Sequence, residues 1–153
     1  MASYVRVTDR KGRPYILFAG MYGIYRKIKQ DCKDAGVPID IVYGWRGKDE
    51  QNKLEAQGLS KATFGHSPHN FGLAFDYWPL DKNGNGMKEE DISDYIWNKI
   101  GAIVTADGLT WGGSFTSIVD KDHAENTNWR TLSKDGTCPL LTNAPDDKDI
   151  ENI

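Results

Sequence analysis

The stretch LAFDYW, which begins at Leu73, combines strand-forming side chains with one carboxylate. Successive side chains of a strand point to opposite faces, so Leu73, Phe75 and Tyr77 form an apolar face that suits a core. Asp76 lies on the other face, beside the small Ala74. A carboxylate on a covered face costs free energy unless it is paired or binds a metal ion. Asp76 is therefore either paired with an arginine or backbone N–H groups, or it is a metal ligand. This strand alone leaves both interpretations open.

The three histidines of the chain lie in two short windows, GHSPH and VDKDHAE. Imidazole is the commonest nitrogen ligand for zinc in proteins, and a catalytic zinc takes three protein ligands plus water. A single histidine in a turn is far more often a surface residue than a ligand. Two windows rich in acidic and small residues favour a metal site, but they do not decide the question.

Periodicity along the chain predicts an α+β domain, with a small antiparallel sheet and packed helices. Strands are predicted at YVRVT, RPYILF, IDIVYGW and LAFDYW, and helices at MYGIYRKIKQDCKDAG, KDEQNKLEAQGL and ISDYIWNKIGAIVTADG. A length of 153 residues suits one domain, spanning residues 1–153. The polar segment 130–153 is expected to form an irregular C-terminal tail.

Composition excludes several classes of protein. The net charge of −3 does not indicate a nucleic-acid binder or a membrane-surface binder, and no apolar run is long enough for a transmembrane helix. The N-terminal segment lacks the pattern of a secretory signal, so we expect synthesis in a cytoplasm and retention there until another protein releases the chain. In that compartment Cys32 and Cys138 are expected to be free thiols.

Three motifs resemble one family of enzymes. The segment SPHNFGLAFD reads S-x-H-x-x-G-x-A-x-D. This pattern resembles the zinc-binding signature of the D-alanyl-D-alanine carboxypeptidase and L-alanyl-D-glutamate endopeptidase family. The family includes VanY-like enzymes and phage endolysins. WGGSFTSIVDKDHAE is similar to that family's W-G-G segment followed by D/E-x-x-H, and YGWRGKDEQNKLEAQG to its G-x-R-x-x-x-x-Q stretch. The motifs occur in the family's order, over residues 42–125. The resemblance implies a fold like that of these peptidases and of Hedgehog-type signalling domains.

The resemblance also implies roles for individual residues. His69, Asp76 and His123 would be the zinc ligands. Asp120 would be the general base, and Arg46 would orient the substrate and stabilise charge on the reacting carbonyl.

Spacing alone leaves parts of this assignment open. In a regular strand Asp120 and His123 point to opposite faces, so they converge only if the intervening DKD segment turns or bulges. Asp122 is the rival base, with the same difficulty. His66 matches no ligand position and is expected to be an exposed loop residue near the site. Ser67 is expected to shape the turn or to support the ligands.

The loop DKNGNGMKEED raises the question of a second ion. Asp81, Asn83 and Asn85 match positions 1, 3 and 5 of a calcium-binding loop. The twelfth position, where a bidentate glutamate belongs, is Ile92. The loop is therefore either a calcium site closed early by another acidic residue or a solvated turn that precedes a helix.

The resemblance implies a zinc-dependent peptidase of bacterial peptidoglycan, and we expect it to cleave the L-alanyl-D-glutamate bond of the stem peptide. D-alanyl-D-alanine carboxypeptidase activity is the alternative within the family, and a non-catalytic metal-stabilised cell-wall-binding module is the alternative outside it. The expected setting is a monomeric phage endolysin, made in the host cytoplasm and acting on the cell wall after release. No nucleic-acid partner and no membrane insertion are expected.

Overall fold

The computed structural model describes residues 3–152, and its elements follow the order β-β-α-β-α-β-α-β-β-α-β. The longest helix has 16 residues, and no helix in this described part of the chain is long and apolar enough to cross a membrane. The strands and helices are β1 (Tyr4–Thr8), β2 (Pro14–Phe18), α1 (Ala19–Asp34), β3 (Ile39–Tyr43), α2 (Lys48–Ala56), β4 (Ala74–Pro79), α3 (Asp94–Ala106), β5 (Leu109–Trp111), β6 (His123–Asn126), α4 (Trp129–Lys134) and β7 (Ile150–Asn152).

The α+β class predicted from the sequence is confirmed, with two sheets where one was expected. The larger sheet is antiparallel throughout and has the order β3-β4-β6-β5. The smaller sheet has the order β2-β1-β7, in which β7 runs parallel to β1. In the larger sheet the register places Asp76 opposite His123. Residues from two distant parts of the sequence therefore meet on one sheet face.

Strand β4 lies at the centre of the core and has the predicted faces. Phe75 and Tyr77 are fully buried, as is Leu73 just before the strand. The ring of Tyr25 on α1 packs edge-on against Phe75, with 5.1 Å between centroids. Because its apolar side is held by the core, β4 presents Asp76 on a rigid support.

The expectation of an irregular tail over residues 130–153 is wrong in part. Helix α4 extends from Trp129 to Lys134, and β7 pairs with β1 in the register Tyr4↔Ile150. Elements of six and three residues have too little periodicity to be recognised in the sequence, and their formation depends on contacts made after the chain folds back. Cys138 lies between them and is buried, as is Cys32 on α1; both are free thiols.

Candidate active site

Three potential metal ligands converge where β4 and β6 pair. His69 lies in the 3₁₀ turn Pro68–Phe71 just before β4, while Asp76 and His123 lie opposite each other on the two strands. Asp76 Oδ1 is 3.2 Å from His69 Nε2 and 3.1 Å from His123 Nδ1, and these two nitrogens are 3.2 Å apart. One nitrogen or oxygen from each residue lies within 4.8 Å of the others. Three side chains thus point a donor atom at the same small volume.

The turn that carries His69 is specified by its neighbours. Ser67 Oγ accepts a hydrogen bond from the His69 backbone N–H, and the Asn70 side chain accepts one from the Ser67 N–H, forming a capping box. Pro68 suits the first position of such a turn. Gly72 ends it with φ of 70°, and a Cβ at that position would lie 2.8 Å from the backbone nitrogen of Phe18. Ser67 therefore shapes the turn, as expected.

Both imidazoles are held by hydrogen bonds on the side away from Asp76. His69 Nδ1 is 2.9 Å from the carbonyl oxygen of Gly44, which can only accept a hydrogen bond. His123 Nε2 is 2.9 Å from the carboxylate of Glu125. Each ring therefore donates from its far nitrogen and presents the near nitrogen to the shared volume. This arrangement is typical of histidines that bind a metal, so the donor set fits zinc.

Strong electrostatic coupling joins Asp76 and His123. Burial opposes ionisation of Asp76, but the adjacent His69 and His123 outweigh it and hold the pKa of this carboxyl well below its usual range. Burial also disfavours the charged form of His123, yet hydrogen bonds with Asp76 and Glu125 outweigh it and raise the pKa of His123 to about 10. The site therefore concentrates negative charge around its nitrogen donors, as a cation site requires.

Arg46 reaches the same site from the segment after β3. Its side chain is buried, and Nη2 is 3.9 Å from Asp76 Oδ2. The guanidinium lies 4.6 Å over the Tyr43 ring, and Nη1 donates to Gln51 Oε1 at 3.1 Å. Nε is buried without a hydrogen-bond partner among the described residues. Because Arg46 lines the cleft with its charge held in place, it is suited to bind a carboxylate or a developing oxyanion.

Gln51 and Asn70 support Arg46 and were given no role from the sequence. The fully buried Gln51 carboxamide accepts from Arg46 and Asn70 and donates to Ser60 Oγ and to the carbonyl oxygen of Ala62. Asn70 also donates to the backbone oxygen of Arg46 at 3.1 Å. These amides therefore tie Arg46, the turn that carries His69 and the 60–62 loop into one unit. The matched R-x-x-x-x-Q spacing was the only sequence signal for Gln51.

A turn brings Asp120 to the side of His123 that faces Asp76. The His123 N–H donates to the backbone oxygen of Asp120, and Asp120 Oδ2 lies 4.0 Å from His123 Nδ1. Gly112 packs against this turn. A larger residue would not fit, because a Cβ there would collide with the backbone oxygen of Asp120 and with His123 Cβ. Asp122 is half-buried beside them, and burial together with the neighbouring Asp120 raises its pKa to about 8.

These residues line an open cleft of about 700 Å³. His66 is exposed at its margin, as expected, and Phe115 packs near His123 with 5.7 Å between ring centroids. The exposed apolar side chains of Leu59 and Ile118 also line the cleft. A larger groove of about 970 Å³ follows α1 and is lined by none of the candidate ligands, Arg46 or Asp120, so volume alone does not locate the site.

The loop that was considered for calcium is closed by its own hydrogen bonds. Asp81 Oδ1 accepts from the backbone N–H groups of Asn83 at 2.8 Å and Asn85 at 3.0 Å, and the Asp81 N–H donates to the Asn85 carbonyl oxygen. Ile92, at the twelfth position, is buried in the core. The loop is a self-contained turn between two strand-like segments, and the calcium hypothesis receives no support.

Known proteins match the segments that build this site. Residues 60–126 match a family model described as D-alanyl-D-alanine carboxypeptidase. The chain is 29% identical over 115 residues to peptidoglycan L-alanyl-D-glutamate endopeptidase CwlK of Bacillus subtilis (strain 168). That match covers 64% of this chain and 66% of the relative, slightly less than two thirds of its length.

Solved structures share the fold. The L-Ala D-Glu endopeptidase ChiX of Serratia marcescens superposes with a TM-score of 0.62 at 20% identity, over 76% of this chain and 85% of that chain. A mutant of the D,D-pentapeptidase VanY from the VanB-type resistance cassette, in complex with Zn(II), gives a TM-score of 0.57 at 14% identity, over 87% of this chain and 85% of that chain. With the motifs in the family's order and their side chains converging in one cleft, the chain resembles the VanY-like zinc peptidases in sequence motifs and in fold.

Proposed function

We propose that this chain is a zinc-dependent peptidoglycan peptidase that cleaves the L-alanyl-D-glutamate bond of the stem peptide. The observation that carries the proposal is the convergence of His69, Asp76 and His123, with their donor atoms within 4.8 Å, in a cleft that also holds Asp120 and Arg46. Two imidazoles and one carboxylate are a donor set of catalytic zinc sites. The names of the Bacillus subtilis and Serratia marcescens relatives support the choice of bond.

His69, Asp76 and His123 would hold zinc, with water completing the set as in a catalytic site that has three protein ligands. When bound, zinc polarises a carbonyl and lowers the pKa of water toward about 7. Asp76 supplies the negative charge of the ligand set, while Gly44 and Glu125 accept hydrogen bonds from the far nitrogens of the two histidines. The chain therefore fixes ring orientation before any substrate binds.

Asp120 is the proposed general base. Its side chain is 44% exposed to the cleft, and Oδ2 lies 4.0 Å from the metal-facing nitrogen of His123. From that place it accepts the proton of the attacking water and passes it to the leaving amine. Asp122, the rival, also lines the cleft but is half-buried in the turn.

Arg46 is the proposed substrate anchor. Its guanidinium lines the cleft and is held in place by Gln51 and Tyr43. A planar cation held in this way binds a substrate carboxylate or stabilises the oxyanion that develops on the scissile carbonyl. Because the guanidinium is already fixed, little rotational freedom is lost when the substrate binds.

D-alanyl-D-alanine carboxypeptidase activity is the second candidate. It is favoured by the description of the family model that matches residues 60–126, and by the fold shared with a VanYB structure in complex with D-Alanine-D-Alanine. Product analysis on purified muropeptides separates the two activities: free D-alanine identifies the carboxypeptidase, and a released peptide that begins with D-glutamate identifies the endopeptidase. A protein that binds zinc and releases neither product would be a non-catalytic wall-binding module.

The test of the catalytic assignment is Asp120→Asn. We expect it to reduce kcat by about 100-fold or more, since a positioned base contributes about 10²–10⁴-fold, while zinc content stays at one per chain. The matched control is Asp34→Asn, an exposed carboxylate at the end of α1. Wild-type protein that contains no zinc, and whose activity survives EDTA, would contradict the proposal, and full activity in Asp120→Asn would contradict the role of that residue.

The biological setting is also a proposal. A lytic peptidase made in the cytoplasm of a phage-infected host would act as a monomer on the wall after another protein releases it. Expression with and without an added export signal tests this setting, because lysis should require export. Lysis at the same rate without export would contradict it.

A further inference from the structure

We infer that Glu125 is the positioning residue that holds the zinc ligand His123 in its metal-binding tautomer and rotamer. The inference deepens the proposed function and depends on it. Glu125 Oε1 lies 2.9 Å from His123 Nε2, the ring nitrogen that points away from Asp76. A carboxylate there accepts the Nε2 proton, so the lone pair for the metal is on Nδ1.

The alternation of side chains along β6 brings Glu125 next to His123. His123 and Glu125 are two residues apart on one strand and share a face, while Ala124 between them is fully buried on the other face. The residue opposite Glu125 on β4 is Ala74. Its small side chain leaves room for the glutamate to lie beside the imidazole. The alanine of the S-x-H-x-x-G-x-A-x-D motif thereby gains a physical role.

Glu125 has no other pairing that would explain its burial. The residue is 9% exposed, and within residues 3–152 no lysine or arginine forms an ion pair with it. A buried carboxylate without a cationic partner is costly. Among residues 3–152 its side chain has one hydrogen bond, to His123, and a cation on the far side of that imidazole would strengthen this charge-assisted bond.

The two histidines differ in how they are held. His69 donates from Nδ1 to the backbone oxygen of Gly44, an acceptor that side-chain substitution leaves in place. His123 depends on a side chain. Substitution at Glu125 should therefore act on one ligand only, and the position of the other should be preserved.

The test is a pair of substitutions, Glu125→Ala and Glu125→Gln, with zinc affinity measured by competition with a chromogenic chelator. We expect Glu125→Ala to weaken zinc binding by about 10- to 100-fold, the effect typical of losing a hydrogen-bond partner of a ligating histidine. Glu125→Gln should lose less, because its carboxamide oxygen still accepts a hydrogen bond. Glu151→Ala, which removes an exposed strand carboxylate, should bind zinc like the wild type.

A second readout covers the case in which Glu125→Ala does not fold. In ¹H–¹⁵N spectra of the zinc-loaded protein, the His123 Nε2 proton should move upfield in Glu125→Gln, because a neutral acceptor makes a weaker bond. Unchanged zinc affinity in Glu125→Ala, or an unshifted Nε2 proton in Glu125→Gln, would overturn the inference. If the wild type itself binds no zinc, the proposed function fails instead.

Discussion

At the scale of single residues, the charged side chains of the site are covered by the fold, and each has partners within the site. Asp76 needs a partner because it is covered, and it faces both histidines. Arg46 is buried, and its charge is shared between the Tyr43 ring and Gln51. A point charge on a flexible stem could not replace that planar group, since lysine lacks the fork of donors.

Arg46→Lys should therefore impair the enzyme although it keeps the charge. We expect kcat/KM to fall by roughly 10- to 150-fold, because a hydrogen bond to a charged group contributes about 1.5–3 kcal/mol. The measurement is hydrolysis of a purified muropeptide, with Arg26→Lys on the exposed side of α1 as the matched control. Equal kcat/KM in Arg46→Lys and wild type would show that the guanidinium is not the substrate anchor.

At the scale of elements, local sequence patterns predicted the helices and strands whose formation depends mainly on residues close together in the chain. The helix predicted over ISDYIWNKIGAIVTADG forms as α3, begun by Ser93, whose side chain accepts from the Ile96 N–H. The alternation of LAFDYW predicted which face of β4 is buried. Spacing could not predict that Asp120 and His123 share a side, because the turn between them depends on contact with Gly112, a residue brought there by the fold.

Glu125 and Gln51 were missed for a similar reason. Each is a polar residue with an ordinary local sequence, and its role exists only after two elements meet. Residue type and spacing report on neighbours along the chain, whereas hydrogen bonds across a cleft depend on tertiary contacts. The potential metal ligands were recognisable because the family resemblance already contains that tertiary information.

Helix α2 and the loop after it should loosen together when Gln51 is removed. Gln51→Ala leaves buried donors and acceptors without partners, which costs about 1–3 kcal/mol in the free energy of unfolding. KM should also rise, because Arg46 loses its support. Chemical denaturation and steady-state kinetics measure the two effects, and Gln57→Ala, an exposed glutamine at the end of the same helix, is the control. A Gln51→Ala protein that matches this control in both measurements would contradict the supporting role.

At the scale of the whole molecule, the chain closes on itself around the core. The last strand pairs with the first, and Cys138 lies under the returning segment with Sγ 2.9 Å from the backbone oxygen of Phe71. Cys32 is buried on α1, in the N-terminal part of the chain. The reactivity of each thiol therefore measures whether a different part of the fold has opened.

Both thiols should be unreactive in the folded protein. Burial raises the pKa of Cys32 to about 12 and that of Cys138 to about 11, so almost no reactive thiolate exists at pH 8, and access is blocked as well. A thiol-specific reagent at pH 8 should therefore label neither cysteine until guanidinium unfolds the chain, and labelling should then follow the loss of circular dichroism. In Cys138→Ser only Cys32 can be labelled, so comparison with the wild type separates the labelling of the two cysteines. Labelling of Cys138 while Cys32 stays protected would show that the C-terminal segment opens alone, and rapid labelling of both in native buffer would contradict the closed fold.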